Sequence, residues 1–164
     1  MEHLLDHGHR TVTHVRGPAA SLSADRREEG WRSVLLERGR DVPAVVDGDW
    51  TASSGYLAGA RIAEDPSVTA VYASNDEMAL GVVRALHERG RRVPQDVSVV
   101  GFDDVAGADN FLPPLTTVRQ DFAEVGRRSV RHLVEQIERG RRTSGVELVP
   151  ATLVERQSVA SPSR

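Results

Sequence analysis

Residues 69–90 read TAVYASNDEMALGVVRALHERG, and their two halves follow different periods. Thr69–Ala73 is a short run with β-branched and aromatic residues, which suits a strand. Ser74-Asn75-Asp76 is a turn. After it, Ala79, Val82, Val83 and Leu86 recur at helical spacing up to Gly90. A second β-branched run, Val97–Phe102, follows at once, so the unit is strand, helix, strand. A helical crossover of this length joins parallel strands.

The same alternation extends in both directions. Upstream, Thr11–Val15 and Ala44–Val46 read as strands. Ser23 and Asp25 are cap-type residues before a helix with the apolar face Trp31, Val34 and Leu35, ending near Gly39. Another helix is expected over Ala52–Glu64, halted by Asp65-Pro66. Downstream, Thr116–Arg119 is a strand, and Phe122 to Gly140 is a helix with a clear stripe at Val125, Ser129, Val130, Leu133, Val134 and Ile137. Two short strands, Val146–Val149 and Thr152–Arg156, flank Pro150, and Ala160–Arg164 is expected to fray. Glu2–His7, closed by Gly8, resembles the last turns of a helix already under way, so the chain is expected to start inside a domain. The fold class is α/β, with a parallel sheet and helices on both faces.

Composition narrows the chemistry. The 164 residues are 39% hydrophobic and carry a formal net charge of −3. No apolar run approaches the roughly 20 residues of a membrane-spanning helix, and the start lacks the features of a secretory signal, so a cytoplasmic location is expected. There is no cysteine, and all 21 basic residues are arginine. Thiol nucleophiles, Schiff bases and the P-loop lysine are therefore excluded. Arginine pairs such as Arg26-Arg27 and Arg127-Arg128 are scattered among acids, which gives no basic stripe for DNA. His3 and His7 stand four apart, but no acid or cysteine at ligand spacing completes a metal site. Neither a metal nor a cofactor is expected.

Parallel sheets bind ligands beyond the carboxyl ends of their strands. Four such ends carry polar residues: Asp47-Gly48-Asp49-Trp50, Ser74-Asn75-Asp76, Asp103-Asp104 and Gln120-Asp121. Arg27, in the first turn of its expected helix, joins them. Carboxylate, amide and guanidinium groups suit sugar hydroxyls, and Trp50 offers a flat apolar face to a pyranose ring. Taken singly, each has a plainer use: Asn75 as a helix cap, Asp103 as a turn brace, Arg27 as an ion-pair partner, Trp50 as core. Their shared sheet edge favours a binding site.

These motifs, taken in order, resemble the lactose-repressor family of bacterial transcriptional regulators over residues 2–157. The match runs through Glu2-His3-Leu4, Gly8-His9, Gly17-Pro18, Ser23-Ala24, Arg27 and Gly30-Trp31. It continues through Gly48-Asp49-Trp50, Asn75–Gly81, Val97–Asp104 and Pro113–Val118. Gly48-Asp49-Trp50 and Gln120-Asp121-Phe122 resemble the lactose-repressor branch. The resemblance implies a periplasmic-binding-protein-like, Rossmann-like lobe. It also implies that Arg27, Asn75 and Asp103 bond sugar hydroxyls, that Trp50 and Phe122 pack on the ring, and that Gln120 joins the polar network. A β-galactoside is the first sugar expected. Leu80 and Phe111 match dimer-interface positions, although ordinary core packing would account for both equally.

The family's helix-turn-helix, hinge helix and most of its first sugar-binding lobe have no counterpart here. Residues 1–119 are then expected to form the second lobe, 120–150 a crossover belonging to the missing lobe, and 151–164 a return strand and tail. The helix after Phe122 would lack the sheet it covers, leaving its apolar stripe exposed or taken by a partner chain. The expected role is effector sensing and dimerisation in a repressor that contacts operator DNA only through the absent headpiece. It is not an enzyme. A periplasmic sugar receptor shares the architecture and is the alternative. A phosphoacceptor use of Asp103-Asp104 is disfavoured, because no lysine is present to stabilise a transferred phosphoryl group.

Overall fold

The computed structural model describes residues 1–140 and 145–162. In chain order the elements are α1 (Glu2–Asp6), β1 (Thr13–Arg16), α2 (Leu22–Glu37), β2 (Val46–Asp47), α3 (Ala52–Ala63) and β3 (Ala70–Ala73). They continue with α4 (Asp76–Glu88), β4 (Ser98–Val100), β5 (Thr117–Arg119), α5 (Phe122–Arg139) and β6 (Thr152–Val154). The main sheet is parallel, in the order β2-β1-β3-β4, with Val15 beside Val46 and Ala73, and Tyr72 beside Val100. Single parallel bridges, Val100 to Thr116 and Asp103 to Arg119, carry the chain around β5 alongside the end of β4. β5 then pairs antiparallel with β6.

The two faces of the sheet bury separate cores. On one, Val15, Val71, Ala73 and Val99 meet Ala58, Ile62, Met78, Val82 and Leu86 of α3 and α4. On the other, Val12, Ala70, Tyr72 and Val100 meet Leu4, Leu5, Trp31 and Leu35 of α1 and α2. The period-2 alternation of β1 explains the division: Val12 faces α2 and Val15 faces α4. Each fully buried Val, Leu, Ile or Met side chain among these contributes roughly 1.5–3 kcal/mol. α3 and α4 lie unusually close because glycines face across the contact. A Cβ on Gly81 would stand 2.0 Å from the Ala52 carbonyl, and one on Gly55 2.1 Å from that of Met78.

Several sequence expectations need correction. The cap of α2 is Ser21, whose hydroxyl accepts from Ala24 N, and neither Ser23 nor Asp25 fills that role. Ser23 bonds the Ser21 hydroxyl, and Asp25 reaches across to Arg16. Residues 146–149 form no strand, and Val146 is 89% exposed; the segment lies instead along α5, with Glu147 on Arg128 and His132. The tail does not fray through Pro162. Gln157 N donates to Pro114 O, the Ser158 hydroxyl to Val99 O, and Ala160 N to the Ser98 hydroxyl, while Ala160 O sits on His9 Nε2. Polar pairing along the start of β4 holds this segment, a cause that periodicity does not reveal. Ser163 and Arg164 lie outside the described residues.

α5 has a strong apolar stripe and buries none of its residues. Leu133 is 59% and Ile137 71% exposed. This is the exposed stripe expected from the resemblance.

Candidate functional site

The carboxyl ends of β2, β3, β4 and β5, with the start of α2, build the rim. Arg27 lies in the second turn of α2, one turn later than expected because the cap is Ser21. Its Nη2 donates to Asp103 Oδ1 at 3.2 Å, and its Nη1 donates to the Ser74 carbonyl. The guanidinium lies 4.0 Å from the centroid of Phe102 and 5.4 Å from that of Trp50. Gln120 Nε2 donates to the same Asp103 oxygen at 2.6 Å. Asn75 has a double use. Its Oδ1 caps α4 by accepting from Met78 N at 3.0 Å, while its Nδ2 donates to the Trp50 carbonyl at 2.9 Å. Arg27, Trp50, Asn75, Asp103 and Gln120 are thus linked by direct contacts.

Phe122 is not drawn into this group. It opens α5 two residues past Gln120, is 61% exposed, and has no aromatic or cation–π contact with the rim among the described residues. Leu80 stands half-exposed on the outer face of α4, beside Tyr56, Leu57 and Arg84. Phe111 packs against the core beneath α4. The His3 and His7 rings lie 4.4 Å apart and tilted by 54°, with His7 Nδ1 donating to the His3 carbonyl at 2.7 Å.

Backbone strain concentrates here. Trp50, Asp103 and Asp104 have φ of 75°, 111° and 53°, the only positive values outside glycine among the described residues. Such conformations cost about 1–3 kcal/mol each and persist where surrounding contacts enforce them. Those contacts are visible. The indole of Trp50 lies across Gly17, where a Cβ would be 2.3 Å from its ring. Asp103 N donates to Val118 O at 2.8 Å. Asp104 turns the opposite way from its neighbour and is nearly buried, bonded by Arg119 at 2.6 Å and Arg156 at 2.7 Å. Burial raises the pKa of the Asp104 carboxyl, but the bonds and charges of the two arginines outweigh it and hold the group below the ordinary aspartate range.

Other residues support the rim in roles that the sequence reading leaves unassigned, although it places Asp76 and Asp104 at the strand ends. Asp76 is fully buried, accepting from Thr117 Oγ1 at 2.5 Å and Val105 N at 2.9 Å, and burial raises its pKa. It braces the loop that carries Asp103. Phe102 forms the floor under Arg27, and its place beside Asp103 at a strand end was the available signal. Asp104, Arg119 and Arg156 form a latch across β5 and β6 that only folding reveals.

The rim offers hydrogen-bonding groups beside aromatic rings. Asp103 Oδ2, Gln120 Oε1 and Trp50 Nε1 have no hydrogen-bond partner among the described residues, so two acceptors and one donor face outward beside an aromatic plane. Hydrogen bonds to charged groups contribute about 1.5–3 kcal/mol each, so a few suffice to select one hydroxyl pattern. On the α2 side a cavity of about 610 Å³ adjoins the rim through Arg27 and Gln120, over Trp31, Tyr72 and Phe102. Trp50, Asn75 and Asp103 stand outside it.

Comparison with known proteins agrees with this fold. Residues 1–159 match the model of the periplasmic binding protein-like domain. The lactose operon repressor of Escherichia coli (strain K12) is 39% identical over 164 residues, covering 99% of this chain and 45% of that protein. The lac repressor dimer bound to operator and the anti-inducer ONPF superposes with a TM-score of 0.90 at 39% identity, over 97% of this chain and 56% of that one. The complex of the transcriptional regulator CelR with cellobiose gives 0.88 at 38% identity, over 96% and 49%. The chain therefore spans about half the length of the relatives it matches.

Proposed function

This chain belongs to the periplasmic binding protein-like domain family, in the form that lactose-repressor-family regulators carry, and from that premise we propose that it is the effector-sensing part of a transcriptional repressor. The observation that carries the reading is the convergence of Arg27, Trp50, Asn75, Asp103 and Gln120 on one strained sheet rim. A neutral disaccharide is the effector class that fits, with a β-galactoside first. Its hydroxyls would meet Asp103, Asn75, Gln120 and Arg27, and its ring would lie on Trp50. Phe122 would reach the ring only in company with a further lobe.

Residues 1–119 form the sensing lobe in this reading, 120–150 cross to a second lobe, and β6 returns. The half-exposed Leu80 face of α4 is the proposed homodimer contact, and Phe111, packed on the core, is its second proposed position. Sugar bound between two lobes biases their relative angle, and that bias alters operator affinity through a DNA-binding part outside this chain. Such coupling typically amounts to ~1–3 kcal/mol and is reciprocal between sugar and DNA. No catalytic step is assigned, since the relatives are transcriptional repressors and regulators, and a periplasmic receptor is not favoured for the same reason. Among the described residues no helix is long and apolar enough to cross a membrane.

The test is Asp103→Ala in the full-length regulator. Calorimetry against lactose and cellobiose should show binding reduced by about 100-fold, the loss of two charge-assisted contacts. Operator binding should persist and no longer respond to sugar. Loss of operator binding with sugar affinity intact would overturn the reading.

A further inference from the structure

Beneath the rim lies a buried imidazole that the proposed contacts do not use. His14 is central in β1 and fully buried, on the side of the strand that faces α2. Its ring stacks between Tyr72 at 4.8 Å and Trp31 at 5.2 Å. Both ring nitrogens are engaged: Nδ1 lies 3.1 Å from the Tyr72 carbonyl, and Nε2 lies 3.4 Å from the Ser74 hydroxyl. A carbonyl can only accept, so the proton belongs on Nδ1, and Nε2 must then accept from Ser74. Ser74 is also the residue whose carbonyl holds Arg27 Nη1, and its N–H is fixed by Val15 O.

We propose that His14 is a positioning residue of the effector site: its neutral Nδ1–H tautomer locks Ser74, and through Ser74 it sets the guanidinium of Arg27 against Asp103. This rests on the reading of the rim as the effector site. The surroundings demand the neutral form. Of the charged groups acting on the ring, Arg16 of β1 and Arg27 of α2 repel an imidazolium, and only Glu28 of α2 favours one. From β3 the ring meets the Tyr72 carbonyl and the Ser74 hydroxyl. An apolar residue of the same size would keep the stack and leave the Ser74 hydroxyl without its acceptor, a cost borne where Arg27 is anchored. A ring that served only as filler would need neither polar contact.

Two variants separate positioning from packing. His14→Phe keeps an aromatic ring in the stack and removes both polar contacts; Ser74→Ala leaves the imidazole and removes its hydroxyl partner. In the ¹⁵N-labelled intact chain, His14 should show a protonated Nδ1 and a bare Nε2 from pH 5.5 to 8, and both variants should shift the Arg27 side-chain resonance alike. With lactose as the probe, each variant should bind about tenfold more weakly, and the double variant no worse than either alone, because the two act through one link. A proton on Nε2, an unmoved Arg27 resonance in Ser74→Ala, or fully additive losses would overturn the proposal. If the unaltered protein binds no lactose, the galactoside reading fails, and the tautomer and the Arg27 resonance still decide this one. If His14→Phe does not fold, Ser74→Ala carries the same test.

Discussion

α4 and α5 are both amphipathic helices with charged outer faces, and they end differently. α5 has the clearer apolar stripe in sequence, yet it buries no residue; α4 buries eight, from Asp76 to Leu86. α4 lies where β3 and β4 supply a sheet face and α3 supplies a glycine-lined flank. α5 follows β5 out of the main sheet and, among the described residues, meets the coil at 146–149 through Arg128 and His132 on Glu147. An apolar stripe states which side of a helix seeks cover. Whether cover exists depends on what the rest of the chain brings there.

The difference can be put to measurement. Leu86→Ala in α4 should cost about 2–5 kcal/mol in urea unfolding, the usual range for emptying a packed leucine site. Leu133→Ala in α5 should change stability by less than about 0.5 kcal/mol, as for other exposed positions. Equal losses would mean that α5 is covered in solution.

A second measurement concerns titratable groups buried around the main sheet, such as His14 and Asp76, whereas α5 buries none of its residues. Burial is the main cause that lowers His14, to about 4, with the Tyr72 carbonyl bond and Glu28 opposing and Arg16 and Arg27 assisting. A folded-state value below the unfolded 6.5 makes its contribution fully present above pH 6.5 and lost as pH falls toward 4. The loss is about 3 kcal/mol over that window. His3 and His9 are lowered as well, mainly by burial, and act in the same direction. Asp76, raised by burial, has the opposite sign: its contribution weakens as pH climbs through its raised value. Unfolding of His14→Phe from pH 7 to 4.5 should therefore show a shallower decline than the unaltered chain, and an unchanged slope would contradict the burial of a neutral imidazole.

The smallest effect compares two glycines. Gly81→Ala should destabilise by about 1–3 kcal/mol, because its methyl would meet the backbone of α3. Gly126→Ala, with open space around it in α5, should stabilise by roughly 0.5–1 kcal/mol through helix propensity alone. Thermal melts of the pair should move in opposite directions.

Much of the site was legible from the strand ends. Arg27, Trp50, Asn75, Asp103 and Gln120 all follow strands or occupy the helix beside them, so topology alone gathers them. Phe122 was less legible, since helical spacing does not say which body α5 leans on. The partners of the site were hidden as well. Asp76 braces Thr117 across 41 residues and Asp104 bonds Arg156 across 52, and no local pattern records such pairings. The tail's small polar residues resemble those of a loose end, and only their bonds to Ser98 and His9 show that it is docked.

By itself the sequence determined the alternation of strands and helices, the apolar side of each helix, and the set of polar residues available at the carboxyl rim, because these follow from periods of 2 and 3.6 and from residue chemistry. Tertiary structure alone decided which stripe was covered, how Asp103 and Asp104 face opposite ways, and that His14 lies beneath Arg27. Those outcomes depend on contacts between residues far apart in the chain, which become neighbours only when the sheet assembles.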